Sequence, residues 1–358
     1  VPRTAHSPAA PELAREASRL TGDLARARPA VYWSDLILTV AVVWAGLAAV
    51  AQGHGALRVA GALAGVLALY RAVSFIHELT HVRASEVPGF SLAWNTLVGV
   101  PFLVPSLLYE GVHNLHHGPP RYGTAADPEY LPLANRPPRT SVAFVAVAAL
   151  GPLGAVIRFG VLTPLSLLSP RLRAAVVSRF SAMCVNPAFR REDAERARTP
   201  AWRAQEIAAW LWCWTLLALA LRDGLAARYV LAGFAMMTVV TVINQCRTLV
   251  AHAWTSEGAP MGVTEQYLDS VNVPPPGWLP ALWAPVGLRY HALHHLLPKL
   301  PYHNLGEAHR RLAAALPASS AYHGAHQRGF VPALGRLLSR ARRAAKTGLG
   351  EARADLGT

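Results

Sequence analysis

Four stretches of the chain are apolar almost without interruption over the length needed to cross a bilayer, about 20 residues. They cover 31–52, 56–76, 204–221 and 225–243. The turns at 52–55 and 222–224 are short, so the pattern predicts two transmembrane helical hairpins, with Tyr32 and Trp33 as interface anchors. Two further apolar stretches are interrupted, 92–109 by Pro101 and Pro105, and 141–168 by Gly151, Pro152 and Pro164. Both are expected to lie at the interface or to re-enter it. A full crossing at 141–168 would carry the arginine-rich segment 171–203 away from the cytoplasmic face that positive charge favours. The expected fold is all-α and integral to the membrane: four spans carrying a histidine-rich helical cap on the cytoplasmic side. Its expected parts are a cytosolic leader over 1–30 with an amphipathic helix at 11–26, a membrane domain over 31–316 and a basic tail over 317–358.

Composition supports the membrane reading. Of 358 residues, 53% are hydrophobic and only 15% charged, too apolar a balance for an ordinary soluble enzyme. The formal charge of +14 comes from arginines that flank apolar runs rather than alternate with stacking aromatics, which points to a membrane surface and away from nucleic acid. Residues 1–30 show no apolar core of a secretory signal. Cys184, Cys213 and Cys246 stand far apart without a CxxC pair, which excludes a zinc ribbon or a fused rubredoxin. From about Gly329 onward, Arg336, Arg340, Arg342 and Arg343 suggest a basic helix lying on anionic lipid, with a solvated tail as the alternative.

Eight of the fifteen histidines fall into three clusters: His77 and His81; His113, His116 and His117; and His291, His294 and His295. Spacings of three and four residues put imidazoles on one helix face, so the three histidines of each HxxHH motif are expected to converge on one point. Imidazole suits iron, zinc, copper and nickel alike, so the spacing identifies a metal site and leaves the metal open. Ionisable groups at a membrane boundary are costly and tend to be functional, and a neutral imidazole lowers that cost while still binding metal. Glu110 and Asp127 flank the second cluster and are candidates for hydrogen bonds to ligand imidazoles. His303 and His309 follow the third at a different spacing and are weaker candidates.

The order HxxxH, HxxHH, HxxHH, together with the segments 117–124, 127–130 and 294–305, resembles the membrane fatty acid desaturase and hydroxylase superfamily over about residues 31–316. That resemblance implies two iron ions held by His77, His81, His113, His116, His117, His291, His294 and His295, with O2 as co-substrate and hydrogen abstraction from an unactivated C–H bond of a lipid chain. It also implies a further histidine ligand just after the last span, a place that His252 occupies, with Asn244 two helical turns earlier as a candidate to orient a water or ligand. Desaturation of an acyl chain is the expected outcome, and hydroxylation of a lipid, alkane or terpenoid chain the alternative. No cytochrome b5 or flavin module accompanies the boxes, so the reductant is expected to be a separate ferredoxin- or rubredoxin-like protein with its reductase, drawn to the arginine-rich face. The expected location is the bacterial inner membrane, with the site on the cytoplasmic side.

Two rivals come from other classes. His77–His81 also reads as HExxH, the zinc-protease motif with Glu78 as base, but that leaves six clustered histidines unexplained. A non-enzymatic metal transporter or metal-binding membrane protein would space its polar or histidine positions through the spans, whereas here the clusters collect at one face.

Overall fold

The computed structural model describes residues 10–347. The principal helices are α1 (Ala10–Thr21), α2 (Pro29–Gln52), α3 (Gly55–Glu78), α4 (His113–His116), α5 (Pro138–Ser166), α6 (Pro200–Arg222), α7 (Gly224–Leu249), α8 (Val263–Asp269), α9 (His291–Leu296), α10 (Leu305–Ala315) and α11 (Phe330–Lys346). Among the described residues there is no strand, only isolated bridges pairing His252 with Ser270 and Asn272 with Tyr290 and His326. The chain divides into an apolar unit, 28–114 and 144–245, and a polar unit formed by the N-terminal residues to Ala27, by 115–143 and by the chain from Cys246 onward.

In the apolar unit α2 and α3 form the first hairpin. Gly46 packs directly onto Gly61 and Gly65: a Cβ added at Gly46 would stand 2.6 Å from the Gly65 Cα. Small residues at such a crossing let two backbones approach, the usual device where lipid offers no hydrophobic drive for helices to associate. The outer faces show Ile37, Leu38, Leu57 and Leu63 exposed, as a lipid-facing surface requires.

Among the described residues five helices, α2, α3, α5, α6 and α7, are long and apolar enough to cross a membrane, one more than the pattern predicted. The additional one is α5, which the prolines do not end. Pro152 follows a 3-10 turn at Val147–Leu150, and Pro164 follows a π-turn at Ile157–Leu162. The Gly160 carbonyl in that turn accepts from the Trp214 indole of α6 at 3.1 Å. Arg158 is buried beside it and donates to Glu206 of α6 at 2.7 Å, to Thr163 and to Ser181, while Arg173 grips the same carboxylate at 2.7 Å. The other interrupted stretch, 92–109, contains no helix of spanning length. Its turn is held by Asn95, which accepts from the Ser106 N–H at 2.9 Å and donates to the Ser106 hydroxyl at 3.0 Å.

The polar unit has a core of its own. Leu13 and Ala17 of α1 are buried with Tyr267, Leu293, Leu296, Leu305, Leu312 and Tyr322, so the segment expected to be a leader is part of this core. Asn304 donates to the Leu24 carbonyl at 2.6 Å and Arg311 pairs with Asp23, securing the end of that segment. Helix α11 buries Ala333, Leu337 and Ala341 and packs against the turn Leu133–Asn135. The apolar stripe expected to rest on lipid is thus used against protein, and the part of the tail beyond Thr347 lies outside the described residues.

Candidate metal centre

Four imidazoles meet in the polar unit. His116 lies at the end of α4, His252 in the loop after α7, and His291 and His295 one turn apart on α9. All four are buried, and one ring nitrogen from each lies within 4.8 Å of the others. His291 Nε2 is 3.0 Å from His252 Nε2 and 3.3 Å from His295 Nε2. A ring nitrogen carries at most one proton, so these contacts cannot all be satisfied as hydrogen bonds. Metal–nitrogen bonds of about 2.1 Å meeting at about 90–110° place ligand nitrogens about 3.0–3.4 Å apart, which these spacings match. The donor set therefore fits a metal ion.

Local structure explains why these side chains stand where they do. Asn272, fully buried, accepts from the Leu293 N–H at 3.0 Å and so satisfies a free donor in the first turn of α9. Its own backbone is bridged to Tyr290 and His326. His252 is fixed by its bridge to Ser270 and by Trp254, whose ring centroid lies 5.0 Å from the imidazole and whose indole donates to the Leu249 carbonyl. Trp254 holds φ +58°, a conformation costing of order 1–3 kcal/mol that persists only where packing dictates it.

Buried acids reach two of the four rings. Both oxygens of Asp127 lie 3.0 Å from His116 Nδ1, and the carboxylate also accepts the backbone N–H groups of Gly123 and Glu129. The Tyr122 hydroxyl is 2.9 Å from His252 Nδ1 and donates to Asp269 at 3.1 Å. Burial, helped by the neighbouring imidazoles, holds His252 and His295 well below the ordinary histidine pKa, which keeps their lone pairs free for metal. At His116 burial acts in the same direction, but the charge and hydrogen bond of Asp127 outweigh it and raise the pKa.

The remaining box histidines are distributed otherwise than expected. His294 leaves its neighbours, its ring 6.2 Å from His291 and 6.0 Å from His295, and directs Nε2 to within 3.0 Å of His117 Nε2. The three histidines of a box therefore do not converge on one point. Consecutive residues on a helix project about 100° apart, so the adjacent pair of HxxHH is dealt to different places, and of the third box His291 and His295 stay together. In the apolar unit His77, His81 and His113 form a cluster with ring centroids 4.4–5.1 Å apart, and the Tyr109 hydroxyl lies 3.0 Å from His113 Nδ1. Burial pushes His81 down to about 4.

Of the flanking candidates, Asp127 stands against a box histidine and Glu110 does not: its carboxylate accepts from Ser106 at 2.7 Å. Asn244 is half-buried within α7. His303 bonds Asn304 at 2.8 Å and His309 bonds the Tyr322 hydroxyl at 2.8 Å, so neither joins the four. Glu78 accepts from the buried Tyr32 hydroxyl at 2.6 Å. Asp269 stands in no motif and Tyr122 only in a segment that carries the family resemblance, so neither was legible as a site residue.

The family model for fatty acid desaturases matches residues 53–326. The chain belongs to the fatty acid desaturase family. Within it, a ceramide hydroxylase of Caulobacter vibrioides (strain NA1000 / CB15N) is 52% identical over 331 residues, covering 92% of this chain and 94% of that protein. No solved structure matches. The chain is an oxidoreductase of this membrane desaturase and hydroxylase group, with histidine clusters able to hold metal.

Proposed function

We propose that this protein is a membrane-bound, O2-dependent non-haem di-iron hydroxylase acting on a ceramide-like lipid. The observation that carries the reading is the ceramide hydroxylase relative, similar along nearly the whole chain, which favours hydroxylation over the desaturation expected from the boxes alone. His116, His252, His291 and His295 are the ligands proposed for one iron, and the resemblance makes the other box histidines, His77, His81, His113, His117 and His294, candidate ligands of the iron pair as well. A bound iron pair supplies O2 activation and the oxidising power to break an unactivated C–H bond. The chain presents neutral, buried imidazoles, fixes the orientation of His116 through Asp127, and keeps water from the ligand set. Balance requires that substrate, O2, two electrons and two protons yield the alcohol and water. The electrons come from an external ferredoxin- or rubredoxin-like donor with its reductase, for which the arginine-rich face offers a complementary surface.

We also propose that the membrane is crossed four times. His116 precedes α5 and His291 follows α7, yet both belong to one cluster in the polar unit and must lie on one side. Three crossings by α5, α6 and α7 would separate them, so one of the three does not cross. Among these, α5 carries the buried Arg158, the π-turn and the exposed Val147, Leu150 and Leu153, as suits a helix lying in lipid without a full passage. The positive charge beside the spans supports a cytoplasmic position for the cluster in a bacterial inner membrane.

Expression in a ceramide-containing host, with lipid mass spectrometry of wild type and His295→Ala, tests the activity. One added oxygen per ceramide that vanishes in the variant is the expected result. Loss of two hydrogens without added oxygen would restore desaturation, and an unchanged lipid profile would overturn both.

A further inference from the structure

The four-histidine cluster contains an asymmetry. His116 has a carboxylate directly on Nδ1, whereas the corresponding nitrogen of His252 meets the Tyr122 hydroxyl at 2.9 Å and the Ser270 hydroxyl at 3.3 Å. Behind Tyr122 lies Asp269, with 3% of its surface exposed. Asp269 is surrounded by donors. One oxygen accepts the Thr255 N–H at 3.0 Å and the Thr255 hydroxyl at 2.7 Å; the other accepts Tyr130 at 2.8 Å and Tyr122 at 3.1 Å. Tyr130 itself accepts from the Ser256 N–H at 3.0 Å, which leaves its own proton for Asp269. Four donors on two oxygens describe an ionised carboxylate, which accepts only.

The geometry points to Asp269 as a positioning residue of the metal centre, acting through Tyr122 to set the tautomer of His252. A phenol has one proton. Tyr122 gives it to the carboxylate, the strongest acceptor within reach, and its oxygen must then receive the Nδ1 proton of His252. The lone pair is left on Nε2, the nitrogen 3.0 Å from His291 Nε2. Thus the carboxylate support that His116 receives directly from Asp127 reaches His252 from Asp269 at one remove, and both rings are held with Nε2 toward the centre.

The inference rests on the metal-centre reading and makes a specific prediction for Asp269→Asn. The Thr255 N–H is a fixed donor, so the asparagine oxygen must face Thr255 and its NH2 must face the tyrosines. Tyr122 then accepts from that NH2, donates to His252 Nδ1 and moves the imidazole proton to Nε2, where it blocks metal. Co(II) titration of the full-length metal-free protein in detergent, followed by visible absorption, reads the outcome. In Asp269→Asn one class of Co(II) site should weaken about 10–100-fold, the cost expected when an outer partner of a ligand is lost. Thr255→Val removes a hydrogen bond to the same carboxylate without a route to His252; it should lower the melting temperature and leave Co(II) affinity at the wild-type value. Wild-type affinity in Asp269→Asn, or an equal loss in Thr255→Val, would overturn the relay and leave the metal centre standing. A wild type that takes up no Co(II) would end both. Should Asp269→Asn fail to fold, Tyr122→Phe carries the test: weaker Co(II) binding by a folded variant supports the relay, and unchanged binding overturns it.

Discussion

Replacing Gly46 by alanine tests how the first hairpin is held. The added methyl would stand 2.6 Å from the Gly65 Cα and 2.9 Å from the Gly61 carbonyl oxygen. Both are backbone atoms, which no rotamer change can clear. Carbon atoms settle at about 3.5–4.0 Å, so α2 and α3 must part by roughly 1 Å locally. Overpacking of this kind costs about 1–3 kcal/mol, and the backbone on both sides places Gly46→Ala near the upper end. The better helix propensity of alanine returns about 1 kcal/mol, leaving a net loss of about 2 kcal/mol. Gly154→Ala in α5 is the control. A Cβ there meets nothing within 4 Å, so only the propensity gain applies and stability should hold or rise. Thermal unfolding in detergent, followed by circular dichroism, compares the two. Because α3 continues about three turns beyond Gly65 to His77, the parted helices should also disturb the His77 and His113 pair. A Gly46→Ala protein that melts with the wild type would refute the argument that close backbone approach holds the hairpin.

Glu78→Gln should keep most of the lipid oxidation, since glutamine still accepts from Tyr32; complete loss would return Glu78 to a role as a base at the metal. Glu206→Gln leaves Arg158 buried without its counter-charge and should destabilise the apolar unit by about 3–5 kcal/mol, read as a lower melting temperature. His309 and His326 are both held down to about 4, chiefly by burial, against about 6.5 in the unfolded chain. The unfolded state therefore takes up protons first as pH falls, and stability present above about pH 6.5 is lost progressively to about pH 4, with no further loss from these groups below. Melting of metal-free protein across that range should show the loss, and His309→Gln should remove part of it; an equal slope in the variant would contradict the assignment.

The histidine boxes were legible because helical spacing is periodic, and the four helices expected to form two hairpins because a spanning helix needs an unbroken apolar run. What spacing could not tell was how a box divides. His294 and His295 are neighbours in sequence, yet one faces His117 and the other His291, a choice made by where α9 sits on Asn272. The continuity of α5 was hidden because proline reads as a breaker, while the π-turn and Trp214 that accommodate Pro164 come from the fold. Asp127 lies eleven residues from His116 within one loop and was open to guesswork; Asp269 reaches His252 only through Tyr122, more than a hundred residues away. The packing of the expected leader was hidden for the opposite reason. The amphipathic stripe of α1 was visible, but its partners in α10 lie at the other end of the chain.

The most direct test of the account is metal content by mass spectrometry of the detergent-purified protein, wild type beside His291→Ala. The account predicts about two irons per wild-type chain, imidazole ligation being compatible with iron, and a clear loss in the variant. A single zinc per chain, or iron unchanged by removal of the histidine at the middle of the cluster, would contradict it.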